Sequence, residues 1–256
     1  MVEAKTVRGY LSSVENSTHF GLGETSLIDT LQVQWSDGTT TEKYKVEANQ
    51  LLSIDKNGDT PIASTTLSNK HLFEQVSIGQ LKLNFKHKEN SFDDFQKEIL
   101  LPYKQSTLGP CISKGDVNKD GLEDLFIGGA SGQAATIFIQ EAGKFKKIES
   151  PALAADALTE DMEALFFDVD QDGDQDIYVV SGGNAFAPNS DAYQDRLYLN
   201  DGNGQLTKVP SESLNTYKVS GKSVCGIDYD KDGDTDLIIG NRIIPQNYPK
   251  AAPSLF

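Results

Sequence analysis

Hydrophobic and polar residues alternate along short stretches of the chain. Leu31, Val33 and Trp35 alternate with two Gln residues, a period of two that predicts a strand with one buried face and one solvated face. Similar short runs predict further strands at residues 10–14, 42–46, 51–54 and 81–85. The dipeptide Asp37-Gly38 between two of these runs predicts a hairpin turn. The pattern therefore predicts an all-β protein.

A decapeptide with a fixed polar pattern occurs three times in the C-terminal half. We call its copies the first loop (116–125), the second loop (168–177) and the third loop (228–237). Each carries oxygen-bearing side chains at positions 1, 3, 5 and 9 and Gly at position 6, and each leads into an apolar run that ends in Gly, which predicts a buried strand. The copies start 52 and 60 residues apart. A period of roughly 50 residues with about four strands per copy predicts β-propeller blades, here an incomplete set of about three.

The carboxylates of these loops repel one another, so the loops need a cation to close. Ca²⁺ accepts many oxygen ligands and fits better than Mg²⁺, which retains most of its waters. We predict about three Ca²⁺ ions, held by the side chains at positions 1, 3, 5 and 9 and by the position-7 carbonyl. The predicted ligands are Asp116, Asn118, Asp120, Leu122 and Asp124; Asp168, Asp170, Asp172, Asp174 and Asp176; and Asp228, Asp230, Asp232, Asp234 and Asp236.

The EF-hand and the metal-free polar turn are the alternatives to such calcium loops. An EF-hand shares the first half of the pattern but requires Glu at position 12 and flanking helices, whereas position 12 here is Ile127, Val179 or Ile239. Three polar turns without metal would not require four alternating oxygen side chains in every copy. Asn118 removes one charge from the first loop, which predicts that this loop binds its ion more weakly.

The negative charge of the chain is concentrated in the loops. The net charge is −15, and the loops contain 14 acidic residues and two Lys, so the rest of the chain carries only −3. This acidity serves metal rather than a cationic partner, and without a basic stripe we predict no nucleic-acid partner. No apolar stretch approaches the length of a membrane span, so we predict no membrane insertion in this segment.

The sequence also lacks common catalytic motifs. It contains only three His and neither a GxSxG nor an HExxH motif, so we predict that the protein is not an enzyme.

Composition also suggests a division of the chain. Residues 1–56 read as a small β domain, residues 57–71 are rich in Ser, Thr, Asn, Asp and Pro and read as a linker, and residues 72–256 contain the blades. Propellers close with four to eight blades. We therefore expect a part of a longer chain, or a contribution of residues 72–110 to a further blade. The insertion at 184–195 in the second copy is predicted to carry a binding surface.

Both cysteines and all three histidines lie outside the loops. Cys111 and Cys225 are predicted to be buried free thiols, with a disulfide as the alternative that the sequence leaves open. His19 is predicted to bond nearby backbone rather than a metal. His87 is predicted to be a solvated or hydrogen-bonded loop residue rather than a catalytic one, together with its acidic neighbours Glu89, Asp93 and Asp94.

Two resemblances cover nearly the whole chain. The N-terminal stretch resembles the second half of the ASPIC/UnbV domain, cut at its N-terminus, and the loops with their strands resemble FG-GAP/VCBS repeats, the calcium blades of integrin-α-like propellers. Residues 85–130 also resemble VCBS-repeat proteins that carry an ASPIC/UnbV domain, a group that includes the cartilage acidic protein. The ASPIC/UnbV matches are Gly9-Tyr10-Leu11-Ser12, His19-Phe20-Gly21-Leu22-Gly23, Ile28-Asp29, Val33-Gln34-Trp35, Asp37-Gly38 and Ala48-Asn49-Gln50-Leu51.

The resemblance implies a function and a location. We expect a non-catalytic, calcium-stabilised module, secreted or at the cell surface, that recognises a protein or a glycan. The alternatives are a structural spacer within a larger surface protein and a polysaccharide-active enzyme.

Overall fold

The N-terminal hairpin follows from the alternating pattern. The computed structural model describes residues 17–56, 73–214, 217–250 and 252–253. In it β1 (Leu27–Gln34) pairs antiparallel with β2 (Thr40–Glu47) across the predicted turn, where Gly38 has a φ of 83°. The Trp35 indole donates a hydrogen bond to the hydroxyl of the buried Thr41, at 2.9 Å. The hairpin is confirmed, while residues 51–54 are coil rather than the predicted strand. The strand predicted at 10–14 lies outside the described residues.

The chain divides into two compact units, Met1–Glu74 and Gln75–Phe256. The predicted linker at 57–71 lies outside the described residues, so the exact domain boundary stays a prediction. Among the described residues, no helix is long and apolar enough to cross a membrane.

Residues 73–111 contain short helices and coil. The helix α1 (Ile78–Leu81) begins at a capping box, in which Ser77 and Gln80 bond each other's backbone N–H, and it ends where Lys82 turns left-handed. A 3₁₀ turn follows at Asp94–Gln96. The strand predicted at 81–85 is therefore wrong, because the cap commits its first residue to a helix. No strand occurs in the described residues of this segment, so they add no strand to a further blade.

The repeats form two four-stranded antiparallel sheets in which each strand pairs with its neighbour in sequence. The first sheet has the order β3-β4-β5-β6 and the second β7-β8-β9-β10, and the helix α2 (Pro151–Ala155) lies between them in the chain. The last two strands of each sheet form a hairpin, β5–β6 in the first sheet and β9–β10 in the second. The strands are β3 (Ile112–Gly115), β4 (Asp124–Ile127), β5 (Thr136–Glu141), β6 (Lys144–Ile148), β7 (Asp161–Phe167), β8 (Asp176–Ser181), β9 (Arg196–Asn200) and β10 (Leu206–Lys208).

The third repeat contributes a two-stranded sheet within the described residues. Its strands are β11 (Ser220–Ile227) and β12 (Asp236–Ile243), and they pair as the first two strands of the other sheets do. Two further 3₁₀ turns lie at Asp191–Tyr193 and Ser211–Ser213. The fold of the repeats is all-β and propeller-like, as predicted.

Apolar side chains between successive sheets form the core. One cluster joins the first and second sheets and includes the fully buried Phe126, Ile137, Ile177 and Tyr198. A second cluster joins the second and third sheets through Met162, Val180, Val224 and Ile239, among others. Burial of these clusters fixes how neighbouring sheets pack against each other.

Candidate metal centres

Each acidic loop connects the first strand of its sheet to the second. The position-9 residue, Asp124, Asp176 or Asp236, is the first residue of the second strand. The predicted placement between two strands, rather than between two helices, is therefore confirmed. At position 4 the backbone is left-handed in all three copies, with φ of 59° at Lys119, 60° at Gln171 and 64° at Lys231. At position 6 Gly takes a φ between 82° and 98°, a conformation that costs Gly little.

The second and third loops each gather three carboxylates. Oxygens of Asp168, Asp170 and Asp176 lie within 4.8 Å of one another. The equivalent residues of the third loop, Asp228, Asp230 and Asp236, do the same. These are positions 1, 3 and 9 of the predicted ligand set. Three hard oxygen donors at this separation fit a cation such as Ca²⁺.

Position 5 is not part of these groups. The Asp172 carboxylate accepts the backbone N–H of Asp174 at 3.0 Å, and the Asp232 carboxylate accepts that of Asp234 at 3.1 Å. The position-5 side chain thus shapes the turn that presents the position-7 residue. The ligand roles predicted for positions 5 and 7, including Leu122, stay predictions.

The first loop has the same backbone but a different donor set. Asp116 accepts the N–H groups of Asp120 and Gly121, at 3.2 and 2.9 Å, as Asp168 does for the corresponding residues of the second loop. Position 3 is Asn118, whose amide donates to the Asp120 carboxylate at 3.1 Å. The Asn118 amide stands where the other two loops have the position-3 carboxylate, so the first loop offers less negative charge to an ion.

The position-9 carboxylates of the first and second loops are enclosed by the fold, whereas that of the third loop is partly exposed. Asp124 and Asp176 are completely buried. Burial raises the pKa of both groups, backbone N–H donors lower it, and the neighbouring loop carboxylates raise it again. A bound divalent cation would favour the charged form of these groups and oppose the effect of burial.

The acidic residues predicted as neighbours of His87 have structural partners. Asp94 is fully buried and accepts the hydroxyl and N–H of Ser106, the N–H of Gln105 and the amide of Asn184. His87 bonds the Glu89 carboxylate at 2.6 Å, in line with the prediction of a hydrogen-bonded loop residue. Asp93 caps the 3₁₀ turn by accepting the N–H of Phe95.

The two cysteines and His19 differ in their exposure to solvent. Both Cys are free, as predicted, but only Cys111 is buried, and burial raises the pKa of its thiol to about 12. The predicted burial of Cys225 is wrong, because its side of β11 is not covered by another strand of the described residues. His19 lies exposed in coil.

The insertion at 184–195 is less exposed than predicted. The Asn184 amide donates to Asp94 and Glu98 at 2.8 and 2.7 Å, and Tyr193 is fully buried with its hydroxyl bonded to the backbone of Phe186. Both ends of the insertion are therefore anchored in the fold. Its exposed surface is limited to residues 187–189 and Asp191, which we call the tip.

Comparison with known families agrees with this architecture. The family described as FG-GAP-like repeat matches residues 116–179 and 168–239, and ASPIC and UnbV matches residues 1–61. The chain is an FG-GAP repeat protein with an ASPIC/UnbV domain. The first FG-GAP match spans the first two acidic loops and the second match spans the last two. A search of curated proteins finds no match. The likeness to the cartilage acidic protein stays a prediction.

Proposed function

We propose that this FG-GAP repeat protein is a non-catalytic, calcium-stabilised binding or adhesion module that acts outside the cell or at its surface. The observation that carries the proposal is the recurrence of one carboxylate arrangement at the same place in successive sheets. Three oxygens converge in the second and third loops, and the first loop repeats their backbone.

Calcium would act as a structural ion in this module. Each loop contributes a position-9 Asp that also begins the second strand, so an ion bound there holds the first two strands in register. An ion that binds only the folded state stabilises it in proportion to the logarithm of its concentration over Kd. Calcium is abundant outside cells, and FG-GAP repeats are typical of extracellular or surface proteins.

The calcium part of the proposal is tested by thermal unfolding of the metal-stripped protein. We expect Ca²⁺ to raise Tm and EDTA to reverse the rise, while Asp170→Ala and Asp230→Ala each reduce it. The matched control is Glu212→Ala, an exposed acidic residue outside the loops. Identical melting curves in Ca²⁺ and in EDTA would exclude a structural calcium ion.

The partner is proposed to be a protein or a glycan that contacts the tip of the 184–195 insertion. This tip is exposed, while the residues on both sides of it are anchored in the fold, so it can contact a partner without unfolding. A glycan array and a pull-down with calcium-loaded protein would test binding, with Ala187→Arg at the tip expected to reduce it. Lys144→Glu, in the β5–β6 hairpin, is the control and should leave binding unchanged.

The burial of most of the insertion favours a second candidate, a structural spacer within a larger surface protein. A spacer would melt in the same calcium-dependent way but retain no partner in either binding experiment. The two candidates are therefore separated by the binding experiments and not by Tm.

A further inference from the structure

The first and second loops contact each other through Gln175. This residue is position 8 of the second loop, directly before the position-9 ligand Asp176. Its side-chain carbonyl accepts the backbone N–H of Asp116, position 1 of the first loop, at 2.7 Å. The same oxygen lies 2.7 Å from the place that a Cβ on Gly115 would occupy, so the two chain segments approach closely here. A single side chain thus joins the position-1 residue of one candidate site to the strand start of the next.

Asn200, at the end of β9, makes a second bridge. Its amide N–H donates to the carbonyl of Val117 in the first loop, at 2.9 Å, and to the carbonyl of Gln175 in the second loop, at 3.1 Å. Its own backbone N–H donates to the Asp176 carboxylate at 2.9 Å. Asn200 is buried, so these bonds form in a site with little competing water. It therefore fixes the backbones of both loops and a carboxylate of the second at once.

An ion pair between the loops adds to these hydrogen bonds. The ammonium of Lys119, at position 4 of the first loop, lies 3.8 Å from the Asp174 carboxylate, at position 7 of the second. The Asp174 side chain is only 2% exposed, while that of Lys119 is 46% exposed. No hydrogen bond or ion pair among the described residues joins the second loop to the third. The position equivalent to Gln175 in the third loop is Thr235, whose side chain is shorter.

We propose that the first and second loops bind Ca²⁺ as an energetically coupled pair, with Gln175 and Asn200 as positioning residues, and that the third loop binds independently. This inference rests on the proposed calcium binding. An ion in the second loop orders Asp176 and its neighbours, which places the Gln175 oxygen and the Asn200 amide for the first loop. The first ion then encounters a loop that is already ordered, and by linkage each ion raises the affinity for the other equally.

The test is a set of calorimetric calcium titrations on the metal-stripped full chain. Asp230→Ala leaves the first two sites, and adding Asp170→Ala or Asp116→Ala leaves one of them alone. The product of the two association constants in Asp230→Ala, divided by the product of the isolated constants, measures the coupling. Coupling in proteins is typically about 5- to 150-fold, and we expect about tenfold here. Gln175→Ala, or Asn200→Ala as a second variant, is then added to all three backgrounds. Each should lower the ratio towards one, because each removes part of the contact between the two loops.

The matched control measures the coupling between the second and third loops in the same way. Its background is Asp116→Ala, which leaves these two sites. The ratio of association constants should be close to one for this pair. Thr235→Ala is the control substitution at the position equivalent to Gln175. Far-UV circular dichroism confirms that every variant is folded. A ratio of one for the first pair, with both ions bound, would overturn the coupling and leave calcium binding intact. A protein that takes up no calcium would overturn the proposed function as well.

Discussion

The carboxylate of Asp176 accepts the backbone N–H of Asn200 at 2.9 Å, which ties the second loop to the third strand of its sheet. The other oxygen of Asp176 accepts the N–H of Val169 within the loop, also at 2.9 Å. Asp124 makes the same two bonds in the first repeat, to Gln140 at 2.7 Å and Val117 at 3.0 Å. The position-9 carboxylate is thus a structural bridge as well as a candidate ligand.

This double role predicts a loss of stability that does not depend on calcium. Asp176→Ala leaves two backbone donors without a partner, and each buried donor costs about 1–3 kcal/mol. We expect urea unfolding in EDTA to show a loss of about 3 kcal/mol. Asp236→Ala is the matched control, because among the described residues that carboxylate accepts only the N–H of Tyr229, in an exposed loop, so the loss should be near 1 kcal/mol. Equal losses would contradict the bridging role.

A buried ion pair joins β7 and β9 of the second sheet. The Arg196 guanidinium donates to Asp161 at 2.7 Å, both side chains are at most 3% exposed, and the second oxygen of Asp161 accepts the N–H of Gly129. Arg196→Met leaves a buried charge unpaired, so we expect a loss of about 3–5 kcal/mol in urea unfolding.

The control for this pair is Lys114→Met, which breaks the exposed ion pair with Glu123 and should cost less than about 1 kcal/mol. Adding Asp161→Ala to Arg196→Met should recover part of the loss, because it removes the unpaired charge. A double variant that is less stable than both single variants would show that the two residues act separately.

Glu160 predicts a dependence of stability on pH. Its side chain is buried, and burial, assisted by the charges of Glu89 and Asp94, raises its pKa to about 8. The folded state therefore holds a proton that the unfolded state has lost above its usual pKa near 4.5. Unfolding free energy should fall as pH rises from about 5 to 8, by at most about 1.4 kcal/mol per pH unit.

Urea unfolding across this pH range, at constant saturating calcium, measures the slope. Glu160→Gln carries a neutral amide at every pH, so this variant should lose most of the slope and exceed the parent in stability at pH 8. The control Glu212→Gln, on an exposed side chain, should retain the slope. A slope that is unchanged in Glu160→Gln would assign the effect to another group.

The first loop offers a gain-of-charge experiment. Asn118→Asp restores the carboxylate found at position 3 of the other loops, and a further negative charge close to the ion favours its binding. We expect calorimetry to show tighter calcium binding at the first loop. Asn189→Asp is the control, because it adds the same charge to the exposed tip of the 184–195 insertion, which follows the end of β8 opposite to the second loop. Equal gains from both substitutions would point to a general charge effect.

The loops and the N-terminal hairpin were predictable from sequence because their signals are local. Position 6 is Gly where the backbone needs a positive φ, and Asp37-Gly38 specifies its turn in the same way. The helix at Ile78–Leu81 was missed, although Ser77 and Gln80 carry the spacing of a capping box. The alternation at residues 81–85, which predicted a strand, was a weaker signal than this capping box.

Contacts between distant segments were not predictable. Asn184 lies 90 residues from Asp94 in the chain, and nothing in either neighbourhood indicates that the two side chains bond. The same holds for Asn200, which looks like an ordinary turn residue until the sheets are packed. The exposure of Cys225 likewise depends on which strands cover β11. Sequence therefore identified the candidate ligands of each loop but not the contacts between loops.

The left-handed backbone at position 4 gives a route to a more robust scaffold. Gln171 adopts a φ of 60°, in a region where most residues other than Gly, Asn and Asp are strained. Replacing Gln171 by Asn would relieve that strain without touching a carboxylate, and the same change is open at Lys231. Because the backbone repeats in every copy, such gains could be accumulated blade by blade, so a heat-resistant variant could be engineered without altering the candidate calcium ligands.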